Sequence, residues 1–367
     1  MAARPATRHS VSTRERPADV PARAPVRDLN RGTSSYRIDW DVRPAFDFVF
    51  SLSEDAGTTD DLPAEDRAWL ADAKAKMPAE IKESWVWLTE AELCIHVASV
   101  VVDRPNIRNS ADLVAALESM PPDQVMRKIF DAPENAALVD QALHGDSKAF
   151  VTLAEALPDH KRESRIEVLR DPKQTVARLL DVLRWWAEIF GPIEDRITAI
   201  LERDYEGRAA DRATLAPIDL IEKTTNGIRW LQEGGIRRVI LAPSYFSRPY
   251  NFLMSADDWR LFGYPVSDEA IEESDPLSAP QAVVRLHRAL GDETRLRILK
   301  LLAGRDLYLT EIAQQLALSK PTIKHHLALL RSAGLVTITE SGTVVYYSLR
   351  RNRLDDASAD IKRFLIG

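Results

Sequence analysis

The spacing of apolar residues between positions 281 and 367 constrains the fold more than any other feature of this sequence. A first amphipathic segment, QAVVRLHRAL, is ended by Gly291, and Asp292 is suited to cap the helix that follows. A third helix is expected to begin near Thr310, because apolar residues there recur at the i, i+3, i+4, i+7 spacing that buries one helix face. The region therefore starts with three short helices.

A fourth helix is predicted by the segment SKPTIKHHLALLRSAG, which is polar at its start and apolar further along. Ser319 is suited to the N-cap, Pro321 to the first turn and Gly334 to the position beyond the helix end. On a helical wheel of about 100° per residue, the apolar side chains share one face. The inward face comprises Ile323, Leu327 and Leu330, and the outward face comprises Pro321, His325 and Ala328, flanked by Thr322 and Lys324.

The third and fourth helices are joined by a short turn at 317–319, which matches a helix-turn-helix. The second helix of that motif docks in the major groove of DNA, with its N-terminal side chains toward the bases. Lys320 and Lys324 can contact phosphates or guanine edges. Thr322 can contact a base or a thymine methyl group, and His325 can form a hydrogen bond. Double-stranded DNA is therefore the expected partner.

Simpler structural explanations stand beside this interpretation. Residues 319–325 can also be read as an ordinary solvated helix end. His326 falls near the buried edge of the wheel, where a hydrogen-bonded structural histidine and a DNA contact both remain open.

Two β-branched and aromatic runs, LVTITE and TVVYYSL, follow the fourth helix and flank a Ser341–Gly342 turn, which predicts a β-hairpin. A helix-turn-helix followed by a hairpin is a winged helix. Residues 351–365 should form a last helix whose apolar stripe has little to cover it in so small a module, so we expect a homodimer. The predicted DNA-contact set is Ser319, Lys320, Thr322, Lys324, His325, Ser341, Gly342 and Arg350.

Three blocks within this region resemble the ArsR/SmtB family of bacterial winged-helix transcriptional regulators: GDETRLRILKLL, LTEIAQQLALSKPTIKHHLALLRSAGLV and VVYYSL. The resemblance implies dimers built from the first and last helices of the module, most often repressors that an inducer releases from DNA. The segments FDFVFSLS, WWAEIFGPIEDRITAILERD and VILAPSYFSRPYNF are similar to a subgroup with a large helical domain before the winged helix.

Two departures from the family pattern bear on what the chain senses and how it holds DNA. Metal sensors of the family carry cysteines in the third helix or Asp and His ligands in the last, whereas LYLTEIAQQ and LDDASADIK contain neither Cys nor His. We therefore expect no metal site and no cofactor. The wing offers threonines and a glutamate where arginines are frequent, which leaves affinity to the recognition helix, the dimer and Arg350, Arg351 and Arg353.

The preceding region is predicted to be mainly helical from about 43 to 225 and closed by short strands in IRRVILAPSYF and WRLFGYPV. Gly191–Pro192 is expected to break the helix that begins after Asp171. The fold class is thus mainly α with small β elements. The expected divisions are a disordered tail at 1–35, a helical sensor or assembly domain at 36–265, a linker at 266–280 and the winged helix-turn-helix at 281–367.

Charge is distributed unevenly between these parts. Residues 281–367 hold 14 Lys and Arg against 8 Asp and Glu, whereas residues 36–280 carry a net charge of −17 and residues 1–35 one of +4. Of the two domains, only the small module thus favours phosphate, although the negative charge of the larger one is also common for a solvated surface. A single cysteine and the lack of a long apolar run indicate a cytoplasmic protein without a membrane segment.

Three interpretations of the N-terminal region remain open. Trp85, Trp87, Trp185 and Trp186 can line a pocket for a small-molecule effector, although core packing explains them as well. The region can instead be a structural or protein-interaction module that needs no ligand. An enzyme domain is the third reading, but the sequence contains no P-loop, GxSxG, GxGxxG or HExxH motif, so we do not expect an enzyme.

Overall fold

The structure is a computed structural model that describes residues 36–130, 136–156, 162–232, 234–256, 258–271, 279–341 and 344–366. The chain from Tyr36 onward forms one compact unit. The predicted tail at 1–35 lies outside the described residues.

Helices follow one another from residue 44 to residue 224, as the sequence predicts. Four of them carry proline in the first turn, where a missing N–H group costs no hydrogen bond. The bounds are α1 (Pro44–Ser51), α2 (Ala64–Lys76), α3 (Ala79–Glu90), α4 (Leu93–His96), α5 (Ala98–Asp103), α6 (Ser110–Glu118), α7 (Pro122–Ile129), α8 (Ala136–Leu143), α9 (Ser147–Ala156), α10 (Arg162–Arg170), α11 (Pro172–Gly207), α12 (Ala209–Thr214) and α13 (Pro217–Thr224).

The main core of this region is built around α1 and α11. Every residue of α1 is buried, including Phe46, Phe48 and Phe50, which explains why its sequence is mainly apolar. One face of α11 packs against it, and the rings of Phe48 and Phe190 meet edge to face with centroids 5.4 Å apart. Aromatic packing of this kind fills a large volume with few side chains.

The prediction that Gly191–Pro192 ends a helix is wrong, because α11 runs through both residues without interruption. Both residues are exposed, so water can reach the backbone carbonyl that Pro192 leaves without an N–H donor. Gly191 also lacks the Cβ atom that normally clashes with a following proline ring in the helical conformation. A proline on the solvent face is therefore tolerated here.

A four-stranded sheet closes the N-terminal region, in the order β1 (Arg37–Trp40), β3 (Arg238–Ser244), β5 (Trp259–Pro265) and β4 (Phe252–Ser255). The first three strands are parallel, and β4 is antiparallel to β5. The predicted strands in IRRVILAPSYF and WRLFGYPV are confirmed as β3 and β5. Six of the seven residues of β3 are buried, as is usual for a strand covered on both faces.

The C-terminal region contains the predicted succession of helices and a hairpin, so the winged helix-turn-helix is confirmed. Asp292 caps the second helix by accepting a hydrogen bond from the Arg295 backbone N–H at 2.8 Å. The elements are α14 (Gln281–Leu290), α15 (Glu293–Leu302), β6 (Leu307–Tyr308), α16 (Leu309–Leu316), α17 (Lys320–Ser332), β7 (Val336–Ser341), β8 (Val344–Leu349) and α18 (Arg351–Ile366).

The sheet of the winged helix contains a strand from the N-terminal region. Its order is β2 (Ile228–Trp230), β7, β8 and β6. Strand β2 pairs in parallel with β7, so that Ile228 lies opposite Ile338 and Trp230 opposite Glu340. This pairing was not predicted from the sequence. The first strand of the wing is thus held on its outer edge by the N-terminal region.

The start of the predicted linker packs closely against its surroundings. Val266 and Ala270 are buried, and Asp268 forms ion pairs with Arg248 and with Arg285 of α14. Residues 272–278 lie outside the described part of the chain. The domain boundaries stay a prediction.

Among the described helices, none is by itself both long and apolar enough to cross a membrane. The pair formed by Ala79–Glu90 and Leu93–Asp103 reaches that length and composition only together, across a bend of 80°.

Candidate nucleic-acid interface

The turn between α16 and α17 determines how the second helix of the motif is presented. Ala317 adopts the left-handed conformation, with φ 55° and ψ 40°, and ends α16. The Ser319 hydroxyl then caps α17 by accepting a hydrogen bond from the Thr322 backbone N–H at 3.3 Å. The hydroxyl groups of Ser319 and Thr322 also lie 2.7 Å apart. The predicted N-cap is confirmed, and it fixes the N-terminal end of α17.

The apolar face of α17 packs into the core of the winged helix. Ile323, Leu327 and Leu330 are each at most 1% exposed. They join a cluster that includes Ile298 of α15 and Ile312 of α16. Burial of a Leu or Ile side chain stabilises a fold by about 1.5–3 kcal/mol, so these contacts are sufficient to set the rotation of α17 about its axis. The wheel predicted from the sequence is confirmed.

The polar side chains of the N-terminal end all face away from this core. The structure places them together on one exposed surface, which we call the α17 tip: Ser319, Lys320, Thr322, Lys324 and His325. The positive end of the helix dipole lies at the same end of α17. This surface can take an anionic ligand, and its side chains can form hydrogen bonds with groups beyond the backbone.

His326 lies at the edge of the buried face rather than on the tip. Its side chain is 16% exposed, and its Nδ1 atom is 3.9 Å from an Asp292 carboxylate oxygen. Burial is the main cause that lowers the pKa of His326, and the neighbouring carboxylate opposes that shift. The ring is therefore mainly neutral near pH 7 and adds little positive charge to the tip.

The C-terminal end of α17 is closed by a Schellman motif. The Gly334 backbone N–H donates to the Arg331 carbonyl at 2.8 Å, and the Leu335 N–H donates to the Leu330 carbonyl at 2.9 Å. Gly334 lies at the predicted position beyond the helix end and has φ +73°, the left-handed conformation common for glycine there. Both ends of the helix are thus fixed by local hydrogen bonds.

Arg350 lies far from the α17 tip. Its guanidinium Nη1 donates to the Asn226 side-chain oxygen at 3.4 Å, beside the C-terminal end of α17. A helix of 13 residues is roughly 20 Å long, so Arg350 is separated from Lys320 by about that distance. The structure does not bring this predicted residue together with the others.

The wing is described only in part. Gly342 lies outside the described residues, and of Ser341 only the backbone, the last residue of β7, is described. The base of the wing is held by Tyr308 and Tyr346, whose hydroxyl groups are 2.7 Å apart. A DNA role for Ser341 and Gly342 stays a prediction.

The four tryptophans predicted to line a pocket lie in two environments, two in the core and two at its edge. Trp85 and Trp186 are buried in the main core, where their indole N–H groups donate to the Leu52 carbonyl at 2.9 Å and to the Ser51 hydroxyl at 2.7 Å. Trp87 and Trp185 are partly exposed at its edge, and the guanidinium of Arg178 lies 4.3 Å from the ring centre of Trp87. Their ligand role stays a prediction.

Within the part of the chain that the structure describes, no three His, Cys, Asp or Glu side chains are arranged to hold a metal ion. Cys94 is buried, and burial raises the pKa of its thiol to about 12.

Comparison with known proteins identifies the module that carries the α17 tip. A sequence profile described as "Bacterial regulatory protein, arsR family" matches residues 292–337. The transcriptional repressor SdpR of Bacillus subtilis is 40% identical over 70 residues, which are 19% of this chain and 78% of SdpR. The chain belongs to the ArsR family. It is a transcriptional regulator with an ArsR-family DNA-binding domain.

Two further relatives are similar to this chain over a segment of comparable length. The HTH-type transcriptional regulator KmtR of Mycobacterium tuberculosis is 38% identical over 82 residues, which are 22% of this chain and 63% of KmtR. The transcriptional activator HlyU of Vibrio cholerae is 35% identical over 89 residues, which are 24% of this chain and 78% of HlyU. Each similarity covers less than a quarter of this ArsR-family chain. Regulators of the family bind DNA and usually act as dimers.

Proposed function

We propose that this chain is a cytoplasmic, dimeric, sequence-specific repressor that binds double-stranded DNA with α17 in the major groove. The observation that carries the proposal is the α17 tip, whose polar side chains all face solvent while the opposite face of the helix is buried. SdpR is a transcriptional repressor, which supports the sign of regulation.

Each residue of the tip has a role that its chemistry allows. Lys320 and Lys324 neutralise phosphates or contact guanine edges. Thr322 contacts a base edge or a thymine methyl group, and His325 forms a hydrogen bond to a base. Ser319 holds the helix end in place while its neighbours make contact. Arg350 is left out of this contact set because its guanidinium is turned toward Asn226.

The homodimer is supported by exposed apolar side chains at both ends of α18. Leu354, Leu365 and Ile366 are 39%, 70% and 82% exposed in the single chain, although Ala357 of the same helix is buried. Exposed apolar side chains clustered on one helix are typical of an interface. A two-fold dimer would present two α17 helices to successive major grooves.

The N-terminal region is proposed to control DNA binding, either as a sensor for a small non-metal molecule or as an assembly module that takes no ligand. The core position of Trp85 and Trp186 favours the second reading. A ligand that binds only the folded state raises the melting temperature, so a thermal-shift screen of the full chain separates the two.

Binding to the chain's own promoter tests the groove assignment. We expect Lys324→Ala and His325→Ala each to weaken binding by at least about fivefold, because a good contact to a base edge contributes about 1–3 kcal/mol. His325→Ala should also relax the sequence preference. Equilibrium gel-shift titrations on promoter and scrambled duplexes measure both effects.

Lys82→Ala is the matched control, since it removes the same charge from an exposed position of α3 in the N-terminal region. It should leave promoter affinity unchanged. Unaltered affinity and sequence preference in both Lys324→Ala and His325→Ala would refute the proposed docking.

A further inference from the structure

The N-terminal region touches α17, the proposed recognition helix, through the Asn226–Gly227 turn between α13 and β2. Asn226 has φ 53° and Gly227 has φ 110°, so both adopt conformations that most residues avoid. Asn is among the few side chains that tolerate the left-handed region, and Gly has no side chain to clash. The turn is therefore built from residue types suited to a sharp and fixed geometry.

The side chain of Asn226 caps α17 from a distance of more than a hundred residues in the chain. Its amide group donates to the Ser332 carbonyl at 2.9 Å and to the Arg331 carbonyl at 3.3 Å. Both are carbonyls of the last turn, where the regular helical hydrogen bonds run out, and the Arg331 carbonyl also accepts from the Gly334 N–H of the Schellman motif. The amide oxygen accepts from Arg350, which precedes α18. One side chain thus ties the end of the recognition helix to the start of the last helix.

Gly227 attaches the same turn to the wing. Its carbonyl accepts a hydrogen bond from the Ile338 backbone N–H at 2.7 Å, and the pairing of β2 with β7 continues from there. A Cβ atom on Gly227 would lie 2.9 Å from the Val336 carbonyl oxygen, so only glycine fits this close approach. The turn therefore contacts the recognition helix and the wing at once.

On its other side the turn is anchored in the N-terminal region. Ile221 of α13 and Ile228 and Trp230 of β2 are at most 2% exposed, and they pack in a cluster with residues of β3 and β5. A displacement of α13 or of this sheet must therefore move the turn.

We propose that the Asn226–Gly227 turn couples the N-terminal region to DNA binding, with Asn226 as a positioning residue for the recognition helix. This inference rests on the proposed function, in which α17 enters the major groove. Because α17 and β7 are held by the same turn, a signal that shifts α13 or β2 reorients the recognition helix and the wing together. A sensor and an assembly module can both act through this contact.

Asn226→Gly in the full chain tests the coupling, because glycine keeps the left-handed backbone while the side chain and its hydrogen bonds are removed. We expect promoter affinity to fall about five- to tenfold, as the loss of the two hydrogen bonds to α17, each of ordinary strength, implies. The slope of affinity against salt should not change, because no phosphate contact is lost. Backbone amides in the last turn of α17 and in β7 should exchange hydrogen faster.

Asn251→Ala is the matched control, because it removes a similar bond from an amide to a backbone carbonyl one residue before the turn without touching α17. It should keep promoter affinity within twofold of the parent chain. Equal losses in both variants would show a merely structural role, and an unchanged affinity in Asn226→Gly would overturn the coupling outright.

Failure of the coupling and failure of the proposed function can be told apart. If the parent chain binds its promoter and Lys324→Ala weakens binding while Asn226→Gly does not, only the coupling is wrong. If the parent chain binds no promoter duplex, the proposed function is wrong. Hydrogen exchange then still decides the contact, since unchanged protection of α17 in Asn226→Gly would contradict it and a selective loss would support it.

Discussion

Asp47 places a carboxyl group in the fully buried core of the N-terminal region. One oxygen accepts hydrogen bonds from the Ser244 hydroxyl and, at 3.2 Å, from the Phe246 backbone N–H. The other oxygen has no hydrogen-bond partner among the described residues. Burial raises the pKa of Asp47 to about 7, and the hydrogen bonds only partly oppose that effect. The folded state therefore prefers the protonated carboxyl.

Because the pKa of Asp47 is raised in the folded state, the stability of the chain should depend on pH. In the unfolded chain Asp47 ionises near its ordinary pKa of 3.8, so its contribution to stability is complete below that pH and is lost as pH rises through about 7. In the Asp47→Asn variant this position carries an amide, which does not ionise. Its unfolding free energy relative to the parent chain should increase by about 2 to 3 kcal/mol between pH 5 and pH 8. Urea unfolding at both pH values measures this, and a difference independent of pH would contradict it.

Residue-level prediction from sequence worked where the signal is local. Ser319, Gly334 and the inward face of α17 follow from capping preferences and helical spacing, which involve neighbours in the chain. The role of Asn226 was missed, because its contacts with the end of α17 and with Arg350 join residues more than a hundred positions apart. The adjacent Asn and Gly were visible as a turn signal, but nothing local indicated what the amide would bind.

At the scale of elements, the end of α17 depends on a backbone conformation that only glycine adopts without strain. Gly334 has φ +73°, and a Cβ atom there would lie 3.3 Å from the Asn226 side-chain oxygen. Gly334→Ala should therefore lower the unfolding free energy by about 1–2 kcal/mol. Chemical denaturation of the full chain measures the change.

Gly207 provides the comparison, since it is the last residue of α11, has an ordinary φ and has open space around it. Gly207→Ala should raise the unfolding free energy by about 0.5–1 kcal/mol, because alanine loses less backbone entropy in a helix. Changes of the same sign in both variants would mean that the left-handed turn after α17 is not present.

The errors at this scale also have physical causes. The expected break at Gly191–Pro192 follows from the average cost of proline inside a helix, but the site is exposed and preceded by glycine, so that cost falls. Strand β2 has three residues, too few for a period-2 pattern to be recognised. It forms because β7, which follows it by about a hundred residues, offers an unpaired edge.

At the scale of the whole molecule, the N-terminal region and the winged helix are joined by hydrogen bonds, a shared sheet and ion pairs. Arg285 of α14 forms ion pairs with Asp61 and Asp268 at 2.7 and 2.9 Å, and Arg288 with Asp60 at 2.7 Å. The uneven charge of the two parts was visible in the sequence, whereas their contact was not. The acidic region is thus held next to the basic module, while the α17 tip stays exposed to solvent.

Methylation protection of guanine N7 on the chain's own promoter tests the central claim most directly, because that atom lies in the major groove. A dimer that inserts two α17 helices should protect guanines in two half-sites whose centres are about one helical turn apart, or a whole multiple of it. His325→Ala should weaken this protection at the same positions. Binding that leaves every guanine N7 open to methylation would contradict the account.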